Sequence, residues 1–189
     1  MKRSMTFLVL ILGYVTLAFS QTDENLFHLS FEQSGKTLAF EDGVISLAPV
    51  PFHIKATFEG SESLYLNFST NPDLYNAVVN QEDFQEILGF GGTGMAEALG
   101  NPDLDIYLVD DGWHVWFVQN SDVARFDQVI ITGKGNIGIR TVESLYDALA
   151  GERLSLGSID RVYAVLADAA WSDGEYEVSG VQAFVLEFD

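Results

Sequence analysis

The sequence predicts a mainly β protein, an antiparallel β-sandwich or jelly-roll-like domain carrying a few short helices. Three observations carry that expectation. Apolar and polar residues alternate at a period of two over most of the chain. Clusters of Gly, Asp, Asn and Ser interrupt the alternation at hairpin spacing. No helical pattern is long enough, or regular enough in its recurrence, to cover a parallel sheet.

The chain opens with Lys2 and Arg3, then an apolar run from Met5 to Phe19, and Ala18-Phe19-Ser20 places small residues where a signal peptidase reads. Residues 1–20 are therefore expected to be a secretory signal peptide, and residues 21–189 a single β-sandwich-like domain in a secreted, periplasmic or extracellular location. The run is short for a bilayer span and is interrupted by Gly13, Tyr14 and Thr16. No second apolar run of spanning length follows. With no cysteine in the chain, a disulfide framework, a thiolate metal site and a thiol nucleophile are excluded. The domain has to hold together by packing alone.

The elements follow in order. Phe27, Leu29 and Phe31 share one face of a strand that ends in the turn Gln33-Ser34-Gly35-Lys36. Thr37 to Phe40 and Val44 to Ala48 flank Glu41-Asp42-Gly43 as a hairpin, stopped by Pro49 and Pro51. His53 to Phe58 and Leu64 to Ser69 read as a second hairpin, which contains the glycosylation sequon Asn67-Phe68-Ser69. Asn71 and Pro72 mark a helix start, with Asn71 as the cap. Phe84, Ile87 and Leu88 are spaced for one more short amphipathic helix over residues 81–88. Asp105 to Val109 and Trp113 to Val118 form a third hairpin over Asp110-Asp111-Gly112. Ala124 to Thr132 reads as a strand, and Thr141 to Ala150 as a helix stopped by Gly151. Arg161 to Trp171 and Tyr176 to Phe188 close the chain as a long hairpin, with a bulge at Gly180 and with Phe184, Leu186 and Phe188 facing the core.

Gly89, Gly91 and Gly94 spell the glycine pattern of a dinucleotide site, and Asp110 lies at about the spacing of its ribose-binding acid. That chemistry needs a buried strand before the first glycine and a full crossover helix after the third. Residues 81–88 carry Glu82, Asp83, Gln85 and Glu86 around Phe84, Ile87 and Leu88, and Gly100-Asn101-Pro102 leaves only Met95 to Leu99 for the helix. The glycines are read as a structural loop.

Net charge is −19, and loss of Lys2 and Arg3 makes it more negative still. Such a surface repels nucleic-acid phosphate and anionic lipid, which argues against those partners. Asp103, Asp105, Asp110 and Asp111 could supply hard oxygen ligands to Ca²⁺, although the EF-hand spacing fails: its glycine and glutamate positions fall on Ile106 and Gly112. His28, His53 and His114 all sit in strands, without a metal-ligand spacing. Trp113, His114, Trp116 and Trp171 are the candidate ligand-binding residues, since aromatic planes on strands can stack against sugar rings. Glu97, between the glycine loop and the acidic hairpin, is the one carboxylate singled out for acid or base work. No G-x-S-x-G nucleophile elbow is present.

The composite expectation is a secreted, non-catalytic binding or structural module, with an extracellular glycan or a protein as its partner and Ca²⁺ as a stabiliser. One alternative is an extracellular glycan hydrolase that is carboxylate-based or metal-assisted. Another is a subunit of a surface assembly that pairs through an exposed strand edge.

Overall fold

The computed structural model describes residues 27–58, 63–80, 106–108, 114–118, 126–132, 135–172 and 175–189. They form two stacked sheets, largely antiparallel, in the sandwich-like arrangement that the alternation predicts. The expected signal peptide, the helix over residues 81–88 and the glycine cluster lie outside the described residues.

The first sheet contains β1 (Phe27–Gln33), β2 (Lys36–Thr37), β4 (Phe52–Phe58), β8 (Gln128–Thr132) and β9 (Gly135–Val142), in the order β2-β1-β4-β9-β8. The second contains β3 (Val44–Leu47), β5 (Ser63–Ser69), β6 (Ile106–Leu108), β7 (His114–Val118), β10 (Ser144–Asp147), β11 (Glu152–Ser155), β12 (Arg161–Ser172) and β13 (Glu175–Phe188). Its order is β11-β10-β6-β5-β12-β13-β3, with β7 paired to β5 beside β6.

Alternation decides which side chains enter the space between the sheets. Leu29, Phe31, Phe52, Ile54, Ala56 and Val142 come from the first sheet, and Leu64, Leu66, Phe68, Leu166, Phe184, Leu186 and Phe188 from the second. Phe31 packs against Phe52 and edge-on against Phe184, so its ring joins the two layers. The outer face of the second sheet is also covered. Helix α1 (Asp73–Val79) lies on β12 and β13, burying Leu74 and Ala77 and setting Tyr75 against Tyr163 at 5.4 Å between ring centroids. β5 buries Leu64 through Ser69 without a break, the pattern of a strand covered on both faces.

The local signals at turns were reliable. Ser34 and Gly35, then Asp42 and Gly43, all take positive φ, the conformation that a two-residue hairpin turn demands. The Asn71 side chain accepts the Asp73 amide at 3.0 Å, although the helix begins at Asp73, one residue later than expected. β12 and β13 pair along nearly their whole length, and their register shifts where Asp168 faces Gly180 and Ala169 faces Val178, the expected bulge.

Four expectations are corrected. β3 follows a tight turn but keeps only a single bridge, Val44 to Glu41, to the preceding segment; it joins the second sheet, parallel to β13. β4 and β5 are not a hairpin but lie in different sheets, because β5, buried on both faces, takes neighbours on both edges, β12 on one and β6 and β7 on the other. β6 and β7 are not paired with each other in the described registers; both lie along β5, β6 parallel and β7 antiparallel. The segment from Thr141 to Ala150 is not a helix. β9 runs to Val142, β10 is inserted between β6 and β11, and the Asp147 carboxylate accepts the Leu149 and Ala150 amides to form a tight loop closed by Gly151 at φ +70°. Pairing on both edges outweighs the weak helix preference of that stretch. Asn67, the sequon residue, is 2% exposed in the central strand β5, so the folded protein offers no acceptor there.

Candidate functional site

The feature of the described surface that can do most is the free side of β8, the outermost strand of the first sheet. Its start is firmly anchored. Phe126 is buried, and its ring lies so close to Gly138 that a β-carbon there would sit 2.5 Å from it; only glycine admits the ring. Asp127 then accepts hydrogen bonds from the Thr141 amide at 2.6 Å and from Arg140 Nη1 at 2.9 Å, while its own amide donates to the Ile139 carbonyl at 2.8 Å. Burial pushes the Asp127 carboxyl up, but the Thr141 hydrogen bonds and the Arg140 guanidinium outweigh it and hold the group below its ordinary value. On the outer face Thr141 Oγ1 also lies 3.2 Å from His53 Nδ1. At its other end β8 returns into β9 through a two-residue connection between Thr132 and Gly135, where Thr132 Oγ1 donates to the Gly135 carbonyl.

Between these anchors the strand is bare. All five residues of β8 are exposed, Val129 at 37%, Ile130 at 40% and Ile131 at 83%, and none of the five is charged. Register indicates which backbone groups are free. The two-residue connection makes Thr132 and Gly135 a hydrogen-bonded pair, so by alternation Ile130 and Gln128 also bond to β9. Val129 and Ile131 consequently turn their N–H and C=O groups away from β9. Among the described residues no strand pairs with that side.

Three other described edges, along β3, β2 and β11, are closed or blunted. Along β3, the Val44 N–H and C=O are both taken by Glu41, and those of Ala48 by the buried amide of Gln33. β2 is two residues long and carries Lys36. β11 places Glu152 and Arg153 on its edge. These are the ordinary devices against edge pairing, and β8 has none of them.

The residues singled out from sequence are distributed differently. Trp113, Glu97, Asp103, Asp105, Asp110 and Asp111 lie outside the described residues. His114 is in β7 opposite Leu66, and His28 and His53 lie exposed on β1 and β4. Trp116 falls where the β5–β7 register shifts, with Tyr65 facing Val115 and Leu64 facing Phe117. Trp171 is paired with Tyr176 near the end of the β12–β13 hairpin. Along the sheet it is two strands and several residues from Trp116, roughly 15 Å in backbone terms. Among the described residues no group of three or more His, Asp or Glu side chains is placed to hold a metal ion. A shallow groove of about 580 Å³ beside β3 is lined by Glu41, Asp42 and Glu187, the last of which is ion-paired with Arg161.

Among the described residues the chain is thus a two-sheet, mainly β protein with a helix on one outer face and an unprotected sheet edge at β8. No family model matches the chain, no curated protein matches its sequence, and no solved structure matches its fold.

Proposed function

We propose that this chain is a secreted, non-catalytic binding or structural module, and that its partner is a polypeptide which adds a strand to the free side of β8. One observation carries the reading: β8 is a five-residue, uncharged edge strand whose residues are all exposed and whose outer side pairs with no described strand. An unpaired row of backbone donors and acceptors is a template for an extended segment, and the alternate side chains beside it set specificity. The rigid attachment through Phe126, Asp127 and Arg140 supports the same reading, because a strand already held in extended form loses little entropy on pairing.

The test probes an array of extended peptides, alternating in polarity, with the purified chain and with an Ile131→Pro variant. Proline removes an outward N–H without touching the ladder to β9, and edge strands tolerate it. Peptides captured by the parent chain should slow amide exchange at Val129 and Ile131 and should be lost by the variant. Free exchange at both positions under every condition, with identical capture by the variant, would defeat the reading.

A further inference from the structure

We infer that the strand added to β8 is β8 of a second copy, antiparallel about a two-fold axis at Ile130; this rests on the strand-addition reading above. An edge strand can accept only another extended strand, and in an antiparallel pair an outward-bonding residue must face an outward-bonding residue. With Val129 and Ile131 facing outward, three self-registers satisfy that condition: Val129 on itself, Ile131 on itself, or Val129 on Ile131. Only the last overlaps all five residues. It sets Gln128 across from Thr132, Val129 across from Ile131 and Ile130 across from its own copy. The sequence Gln-Val-Ile-Ile-Thr is symmetric in that register, polar at both ends and apolar through the middle, so every side chain meets one of its own kind.

Electrostatics restrict where two such chains can meet. Each copy carries −19, so most surface contacts between copies bring carboxylates together. β8 places no charge at the axis, and the carboxylate beside it, Asp127, is neutralised by Arg140. Pairing there joins two five-stranded sheets into one continuous ten-stranded sheet and covers Ile131, the most exposed of the large apolar side chains among the described residues. A five-residue strand buries little area, so the dimer is reversible and is favoured by salt that screens the remaining repulsion.

The absence of cysteine makes the register directly testable. Opposed residues of a non-hydrogen-bonded antiparallel pair have α-carbons about 4.5 Å apart, at the short end of the range a disulfide spans. Under mild oxidation Ile130→Cys should form a covalent dimer, while Gln128→Cys, whose copies lie roughly 13 Å apart in this register, should remain monomeric. Sedimentation equilibrium of the unmodified chain should show a monomer–dimer equilibrium that strengthens with added NaCl, and Ile131→Pro, its fold checked by circular dichroism, should weaken it at least about tenfold. A chain that stays monomeric at every concentration and salt, yet captures peptides on β8, overturns self-pairing and leaves strand addition standing. A dimer that persists in Ile131→Pro, or equal cross-linking of the Ile130 and Gln128 variants, also overturns it by placing the contact elsewhere.

Discussion

Gly138 is the residue whose identity is most tightly fixed by what lies on top of it. A methyl group there would collide with the Phe126 ring, which is itself buried, so Gly138→Ala should lower stability by about 1–3 kcal/mol. Thermal unfolding followed by circular dichroism would read that loss as a drop in Tm. Asp127 is the complementary case. Its folded carboxyl titrates below the ordinary value of 3.8, so the stability it contributes is complete above that pH and is lost as pH falls through the lower, folded value. Asp127→Asn should therefore flatten the acid limb of a Tm-against-pH curve below about pH 4. With its side chain 40% exposed, the effect is modest, and an unchanged acid limb would mean that Arg140 and Thr141 do not hold the charge as the geometry indicates. Neither role is visible in the sequence: Gly138 looks like one glycine among 17, and Asp127 like one of 28 acidic residues.

At the scale of elements, the strands were legible and their partners were not. Alternation in Phe27–Gln33 and Phe52–Phe58 marks strands with one buried face, and the Gly-containing turns mark strand ends. Pairing was assigned by proximity along the chain, and that rule failed for β3, β5 and β7, which pair across long sequence separations. One tie between the sheets was missed altogether. Gln33 reads as the first residue of a turn, but its buried side chain donates to the Ala48 and Val50 carbonyls and accepts the Ala48 amide, all at 2.9 Å. It thereby clamps β1 of the first sheet to the end of β3 in the second. Gln33→Ala strands three backbone groups and should cost about 1–3 kcal/mol, measurable as a shifted urea midpoint. A midpoint unchanged within error would mean that the freed groups simply find water.

For the whole molecule, charge is the dominant global property. A chain at −19 with no disulfide to offset self-repulsion should gain stability as salt is raised from about 10 to about 150 mM, over which the Debye length falls from roughly 30 to roughly 8 Å. A Tm that is flat or falling over that range would show that the surface charges are already compensated locally. The same screening should promote dimer formation through β8, so stability and assembly are expected to rise together with ionic strength. The candidate site belongs to this scale as well. The run Val129-Ile130-Ile131 suggests, by itself, a strand buried on both faces. Only the sheet order reveals it as an exposed edge.

What the sequence determined alone is what local chemistry can enforce: a mainly β fold from period-two alternation, turn positions from Gly, Asn and Asp, the bulge at Gly180, a strongly acidic surface, and a domain without covalent cross-links. The tertiary structure decided which strands are neighbours, which of them is left at an edge, and whether Thr141 to Ala150 coils or extends. Those outcomes depend on burying two apolar faces against each other and on satisfying every internal strand on both sides, and no stretch of residues carries that information by itself.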